Sequence, residues 1–309
     1  MSTPPRIFNR DLHARHLRRA APRFAAADFL KRRVAEDLVV RLEAINRTFP
    51  VAVDIGARHG AFERALASSQ AVGKIGFLVQ SDISEAMLTP LRGPRVVADE
   101  ERLPFAEARI DLIVSSLALH WVNDLVGSLI QIRRALRPDG LFIGSFLGGA
   151  TLTELRQSLL TAEAQLSGGA GPRVSPFADA ADGAALLQRA GFALPVVDTD
   201  IVTVRYRHPL KLLADLRAMG ETNALFDRPA ATLTRGVLRR ACEIYAQTFG
   251  APDGGIAASF EVVTLTGWAP HPDHPKALRP GSAKMRLADA LGSMEHSAGD
   301  RAGESGPPD

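Results

Sequence analysis

The run Val51-Ala-Val-Asp-Ile-Gly-Ala-Arg-His-Gly60 constrains this chain more than any other. An apolar strand ends on an acid, glycines follow at 56 and 60, and Ala61 to Ala67 has a helix-like composition. Glycine at a strand-to-helix turn lets the backbone close tightly and approach a small ligand. A carboxylate at that turn can meet the positive end of such a ligand. The pattern reads D-x-G-x-x-x-G. It is not the dinucleotide fingerprint G-x-G-x-x-G, because Ala57 and Arg58 leave no middle glycine and His59 precedes Gly60.

Further acids follow at expected strand ends. Ile75–Val79 is a short apolar strand candidate followed by Gln80, Ser81 and Asp82, with Asp82 28 residues beyond Asp54, which suits one β-α-β unit. Arg95–Ala98 runs into Asp99-Glu100-Glu101, Ile110–Ser116 is a fourth strand, and Leu141–Phe146 a fifth, entered by the turn Arg137-Pro138-Asp139-Gly140. A single acid at a strand tip is more often a solvated loop residue or a helix cap. Their order along the chain points instead to a nucleoside-type cofactor.

The remaining pattern completes an α/β fold. Helical periodicity covers about 25–49, Ala61–Ser69, Ser84–Leu91, Asp124–Leu136 (capped by Asn123 or Asp124) and Asp179–Ala190. Ile201–Val204 and Phe260–Gly267 are strands six and seven. Alternation of strand and helix predicts a doubly wound, mostly parallel seven-stranded sheet with its ligand at the carboxyl edge. Gly148–Pro176 is a long connection with one helix, Leu152–Leu166. The stretch Arg205–Ser259 is too long for a hairpin and carries helical patterns at Leu210–Met219 and Ala231–Phe249, which predicts a helical lid inserted between strands six and seven. The expected organisation is an N-terminal basic segment (1–49), a cofactor-binding core (50–204), the lid (205–259), the last core strand (260–270) and a Pro/Gly-rich tail (271–309) whose last fifteen or so residues look disordered.

Composition narrows the function. Of 309 residues 46% are hydrophobic, enough for a large core, yet no apolar run approaches the ~20 residues a bilayer span needs. The N-terminus lacks the apolar centre of a secretory signal. A lone cysteine, Cys242, excludes a disulfide framework and a multi-cysteine metal site, and a reducing compartment fits. Net charge is only +3, but the first 33 residues carry nine basic groups against Asp11 and Asp28. That stretch reads as a transit peptide, a patch for an acidic partner or a solvated helix, and interleaved Phe8, Leu12, Leu17, Phe24, Phe29 and Leu30 predict that part of it docks on the body. No nucleic-acid-binding motif is present. His271 and His274, flanking Asp273, offer metal-ligand elements in a Pro-rich setting, and no facial triad is evident, so no metal is expected.

The D-x-G-x-x-x-G turn with its following acids resembles the class I S-adenosylmethionine-dependent methyltransferases. Ser115-Ser-Leu-Ala-Leu-His-Trp-Val-Asn-Asp-Leu125, Leu136–Gly144, Ser175-Pro-Phe177, Asp198-Thr-Asp200, Met219-Gly-Glu-Thr-Asn223 and Arg279–Ala283 narrow the likeness to bacterial relatives of mitochondrial complex I assembly factor five, and more distantly to the malonyl-acyl-carrier-protein O-methyltransferase of biotin synthesis. The resemblance covers about 6–292. It implies S-adenosylmethionine as cofactor, a protein or carrier-protein substrate (a complex I subunit or an acyl carrier protein), and a bacterial cytoplasm, or the mitochondrial matrix in a eukaryote. The first of these families is credited with arginine hydroxylation, the second with methyl transfer to a carboxylate; a non-catalytic assembly chaperone is a third expectation. Carried over by motif, Asp54, Gly56 and Gly60 frame the methionine end, and Asp82 holds the ribose hydroxyls. Ile83 packs on the adenine, and Asp99 with Glu100 meets the base. Ser115 faces the methyl group. Arg58 departs from the small residue usual there and either narrows the pocket or salt-bridges to the cofactor carboxylate. His120 is the candidate acid–base group, because an unperturbed histidine side chain titrates at about 6.5; packing beside Trp121 is its structural alternative.

Overall fold

A computed structural model describes residues 6–229, 232–252, 254–271, 273 and 285–294. Within the unit Met1–His271, seven strands form one sheet: β1 (Phe49–Ile55), β2 (Ile75–Asp82), β3 (Arg95–Val97), β4 (Ile110–Ser116), β5 (Leu136–Leu147), β6 (Ala193–Tyr206) and β7 (Ile256–Trp268). Their order is β3-β2-β1-β4-β5-β7-β6. The first five pair in parallel, and β7 runs antiparallel between β5 and β6. Chain order reverses between β1 and β4, so a crevice opens beyond their carboxyl ends, where open α/β sheets bind ligands. This is the mostly parallel doubly wound sheet the alternation predicts.

The helices are α1 (Arg10–Ala20), α2 (Phe29–Ala44), α3 (Ala61–Ala67), α4 (Glu85–Leu88), α5 (Leu125–Ala135), α6 (Thr153–Ser167), α7 (Gly183–Ala190), α8 (Pro209–Met219) and α9 (Arg235–Phe249). Local chemistry sets their starts. Asp124 accepts from Gly127 N–H at 2.7 Å, Asn9 from Leu12 N–H at 2.9 Å and Thr234 from Val237 N–H at 3.2 Å, each satisfying an orphan donor of a first turn. The second unit, Pro272–Asp309, contributes one described helix, α10 (Leu287–Leu291). His274 and the segment Arg279–Ala283 lie outside the described residues, and no group of three metal-ligating side chains occurs among those described.

Several boundaries differ from the sequence expectation. The helix read over about 25–49 begins at Phe29 and ends at Ala44; a 3-10 turn, Ala21–Ala26, precedes it with Pro22 tolerated in its first turn. Strand β6 covers fourteen residues rather than 201–204. It lies at the sheet edge with Leu194, Val196 and Ile201 exposed, so it shows no clean apolar run, and a long antiparallel ladder to β7 extends it. That same ladder carries β7 back to Ile256.

The chain between β6 and β7 is not a separate body. Leu212, Leu216 and Met219 of α8 and Val237, Ala241 and Tyr245 of α9 share one apolar core with Leu30 and Val34 of α2, Leu155 and Leu159 of α6 and Phe260 of β7. The Tyr245 hydroxyl donates to Ala257 O at 2.7 Å, satisfying the polar tip of a fully buried ring. On the amino side, Asn9 N–H donates to Ala224 O at 2.8 Å and Phe8 bridges Leu225, which fastens the entry to α1 onto the loop after α8.

Candidate functional site

Asp54 is the penultimate residue of β1 and is completely buried; no described residue hydrogen-bonds either of its carboxylate oxygens. Burial pushes its pKa up, to about 7, against the pull of Lys31. Lys31 projects from α2 with its ammonium on Gly56 O at 2.7 Å and also on Ser116 O, so it caps the ends of β1 and β4 together. Burial and the nearby Arg58 lower Lys31 to about 8, while Asp54 and Asp82 hold it up. A buried acid raised by burial and a buried amine lowered by it thus lie in each other's field at the ends of β1 and β4.

The glycines at 56 and 60 are dictated by this turn. Both adopt left-handed backbone, φ +68° and +70°. A β-carbon at Gly56 would sit 2.3 Å from that of Ala118, and one at Gly60 would meet Leu91 at 2.8 Å. Arg58 between them is also left-handed, φ +53°, an uncommon conformation for a long side chain. Its guanidinium turns inward: Nη1 donates to Asp82 Oδ2 at 2.7 Å, where the Arg58 backbone N–H also donates at 3.1 Å, while Asp82 Oδ1 accepts from Ser84 N–H at 2.8 Å. The Arg58 side chain is only 2% exposed.

Asp99 and Glu100 follow β3 and are held by Arg10 of α1. The Arg10 Nη2 pairs with Asp99 at 2.7 Å and with Glu100, and Nη1 donates to Trp121 O at 3.0 Å. Ile83 is partly buried and packs with Leu17, Phe24 and Met87. The Ser115 hydroxyl donates to Ile55 O at 3.0 Å, tying β4 to β1. The structure therefore brings Asp54, Arg58, Asp82 and Glu100 to one sheet edge in full burial, with Asp99 partly exposed at its rim.

His120 lies in a 3-10 turn, Leu119–Trp121, with its Nε2 3.0 Å from Glu221 Oε2, which also accepts from Trp121 Nε1 at 2.8 Å. Burial raises the Glu221 carboxyl, but His120, Arg58 and Trp121 outweigh it and leave the pKa below the ordinary glutamate value. Trp121 stacks on His13 with centroids 4.4 Å apart, and burial beside Arg58 and Arg10 holds His13 neutral well below the usual histidine range. His120 and Trp121 open onto a cavity of about 380 Å³ that also exposes Lys31, Arg58, Leu147, Phe177, Leu216, Met219 and Glu221. Its walls are mainly apolar, and its charged lining residues are Asp28, Lys31, Arg58, Arg173, Arg217 and Glu221. Residues from α8 and the start of α9 form one wall.

Sequence reading missed Arg10, His13, Lys31 and Glu221 as members of this site. Lys31 carried a usable signal: it interrupts the apolar face Leu30, Val34, Ala35, Leu38, where a lone cation demands buried acceptors. Glu221 carried only its place in the Met219–Asn223 stretch that narrows the resemblance, which assigned it no role.

A methyltransferase-domain profile matches residues 53–144. The chain is 40% identical over 305 residues to the human mitochondrial arginine-hydroxylase NDUFAF5, spanning 96% of this chain and 87% of that one. It is 33% identical to a malonyl-[acyl-carrier protein] O-methyltransferase of Methylovorus, over 90% of this chain and 91% of the relative. A solved Bacillus halodurans protein described as a methyltransferase superposes with a TM-score of 0.53 at 14% identity, covering 76% of this chain and 99% of that one, a likeness of fold. With the strand order, the glycine turn and near full-length identity in agreement, the chain belongs to the class I S-adenosylmethionine-dependent methyltransferase superfamily, in the branch that holds NDUFAF5 and the malonyl-[acyl-carrier protein] O-methyltransferases.

Proposed function

We propose that this protein binds S-adenosylmethionine at the carboxyl edge of β1, β2 and β4 and modifies a side chain or carrier-borne group of a protein partner inserted into the adjoining cavity. The observation that carries this reading is the convergence of Asp54, Asp82 and Glu100 on one buried edge beside a cavity of about 380 Å³. The residues fit the cofactor in chemistry. Both Asp54 oxygens and Glu100 Oε1 are buried without a hydrogen-bond partner among the described residues, which supplies acceptors for the amine and hydroxyl donors of an adenosylated amino acid. In this reading Asp54, Gly56 and Gly60 frame the methionine end, Asp82 takes the ribose and Asp99 with Glu100 the base. Ile83 and Ser115 complete the surround.

When bound, the cofactor supplies an electrophilic methyl carbon. The chain's own contribution is alignment and exclusion of water: apolar walls from α6, α8 and β5 enclose the acceptor, and Lys31 fixes the backbone at the ends of β1 and β4. His120, anchored by Glu221, is the candidate to take a proton from an acceptor at its unpartnered Nδ1. The helices α8 and α9 act as the lid that selects the partner. A subunit of respiratory complex I or an acyl carrier protein is the proposed partner, in the bacterial cytoplasm or, in a eukaryote, the mitochondrial matrix.

A second reading, hydroxylation of an arginine, draws support from Glu221, an anionic carboxylate in the cavity wall that suits a guanidinium. That reaction would also need dioxygen, a two-electron reductant and an oxygen-activating group supplied from outside the described residues. Calorimetric titration with S-adenosylmethionine tests the shared first step, with NADH as control and Asp82→Ala beside it. Binding that disappears in Asp82→Ala is the expected result; no binding to the wild-type chain at millimolar cofactor would favour a non-catalytic assembly role. Mass spectrometry of partner proteins then separates a methyl increment from an oxygen increment.

A further inference from the structure

We propose that Arg58 is an internal competitor for the ribose seat: its guanidinium occupies Asp82, so nucleoside binding is a displacement and Arg58 sets the affinity. The inference rests on the nucleoside reading of this edge.

Arg58 stands at the middle position of the turn, between two left-handed glycines, and adopts the same left-handed backbone itself. A long side chain pays steric strain there that glycine would not. Its guanidinium is sealed from solvent and holds Asp82 Oδ2, while Ser84 N–H holds Oδ1, so both oxygens of the carboxylate that would accept a ribose diol are already engaged. The contact is a charge-assisted pair at 2.7 Å, stronger than the neutral hydroxyl contacts that would replace it.

Arg58 has somewhere to go. It lines the cavity, its Nη2 has no hydrogen-bond partner among the described residues, and besides Asp82 it lies in the field of Glu100 and Glu221. Leaving Asp82 therefore does not strand the cation in an apolar interior. A seat open only part of the time lowers apparent affinity by the open fraction.

The test is calorimetric titration of the full chain with S-adenosylhomocysteine and, separately, with adenosine, for the wild type, Arg58→Gly and Arg58→Asn. Asparagine tolerates the left-handed backbone and is too short to fill the seat, so it covers the case in which the glycine variant fails to fold, judged from its thermal melt. Both ligands are expected to bind the variants roughly tenfold or more tightly than the wild type. Weaker S-adenosylhomocysteine binding in the variants, with adenosine unchanged, would overturn the proposal and make Arg58 a contact to the ligand carboxylate. Equal affinities for both ligands would also overturn it, making Arg58 a bystander and leaving the nucleoside reading intact. No binding of either ligand to any variant would take down the nucleoside reading and this inference with it.

Discussion

Single side chains at the sheet edge have consequences that can be measured one at a time. Asp54 is raised to about 7 chiefly by burial. Between the ordinary aspartate range and that value the folded chain holds a proton that the unfolded chain has lost. Its contribution to stability is therefore fully present at acid pH and shrinks as pH rises from about 4 to about 7. Asp54→Asn is expected to gain melting temperature relative to wild type across that window and to show no gain below it. Lys31→Met removes the buried counter-charge and frees two strand-end carbonyls; a loss of about 3 kcal/mol in denaturant unfolding is expected. Glu221 carries the opposite sign. Its depressed pKa stabilises the fold above the usual glutamate range, and this is lost as pH falls through the folded value, so Glu221→Gln should flatten the acid limb of the stability profile. The position of Asp54, Asp82 and Glu100 at strand ends was legible in the sequence because an acid closing an apolar run is a local pattern. Arg10, His13 and Glu221 were not, because only tertiary packing brings α1 and the loop after α8 against the edge.

At the scale of elements, legibility followed burial. Parallel strands covered on both faces read as continuous apolar runs, and β1 and β4 stand close to where those runs lie. The edge strand β6 exposes most of its length and was seen only in part. The helices between β6 and β7 were legible as helices from their spacing, but their attachment was not, since the residues they meet come from α2, α6 and β7. That attachment makes a prediction. Leu212 is fully buried in the shared core, so Leu212→Ala should cost about 3 kcal/mol of global stability even though it lies in the inserted stretch. An insertion that frayed alone would instead leave the global transition in place and add an early one.

For the whole unit Met1–His271, one core joins amino-terminal, central and late segments of the chain. Its thermal unfolding is expected to be a single transition with matching calorimetric and van't Hoff enthalpies; a van't Hoff value well below the calorimetric one would show independent parts. The same architecture sets up an optical property. The chain has two tryptophans, and they report on different places. Trp121 lies in the cavity wall, stacked on His13 and donating to Glu221, whereas Trp268 ends β7 beneath the guanidinium of Arg47. A molecule entering the cavity changes the polarity around the first indole, which lines it, and not around the second, whose emission would only dilute the signal. Emission of the Trp268→Phe protein therefore reads cavity occupancy alone, without any label attached.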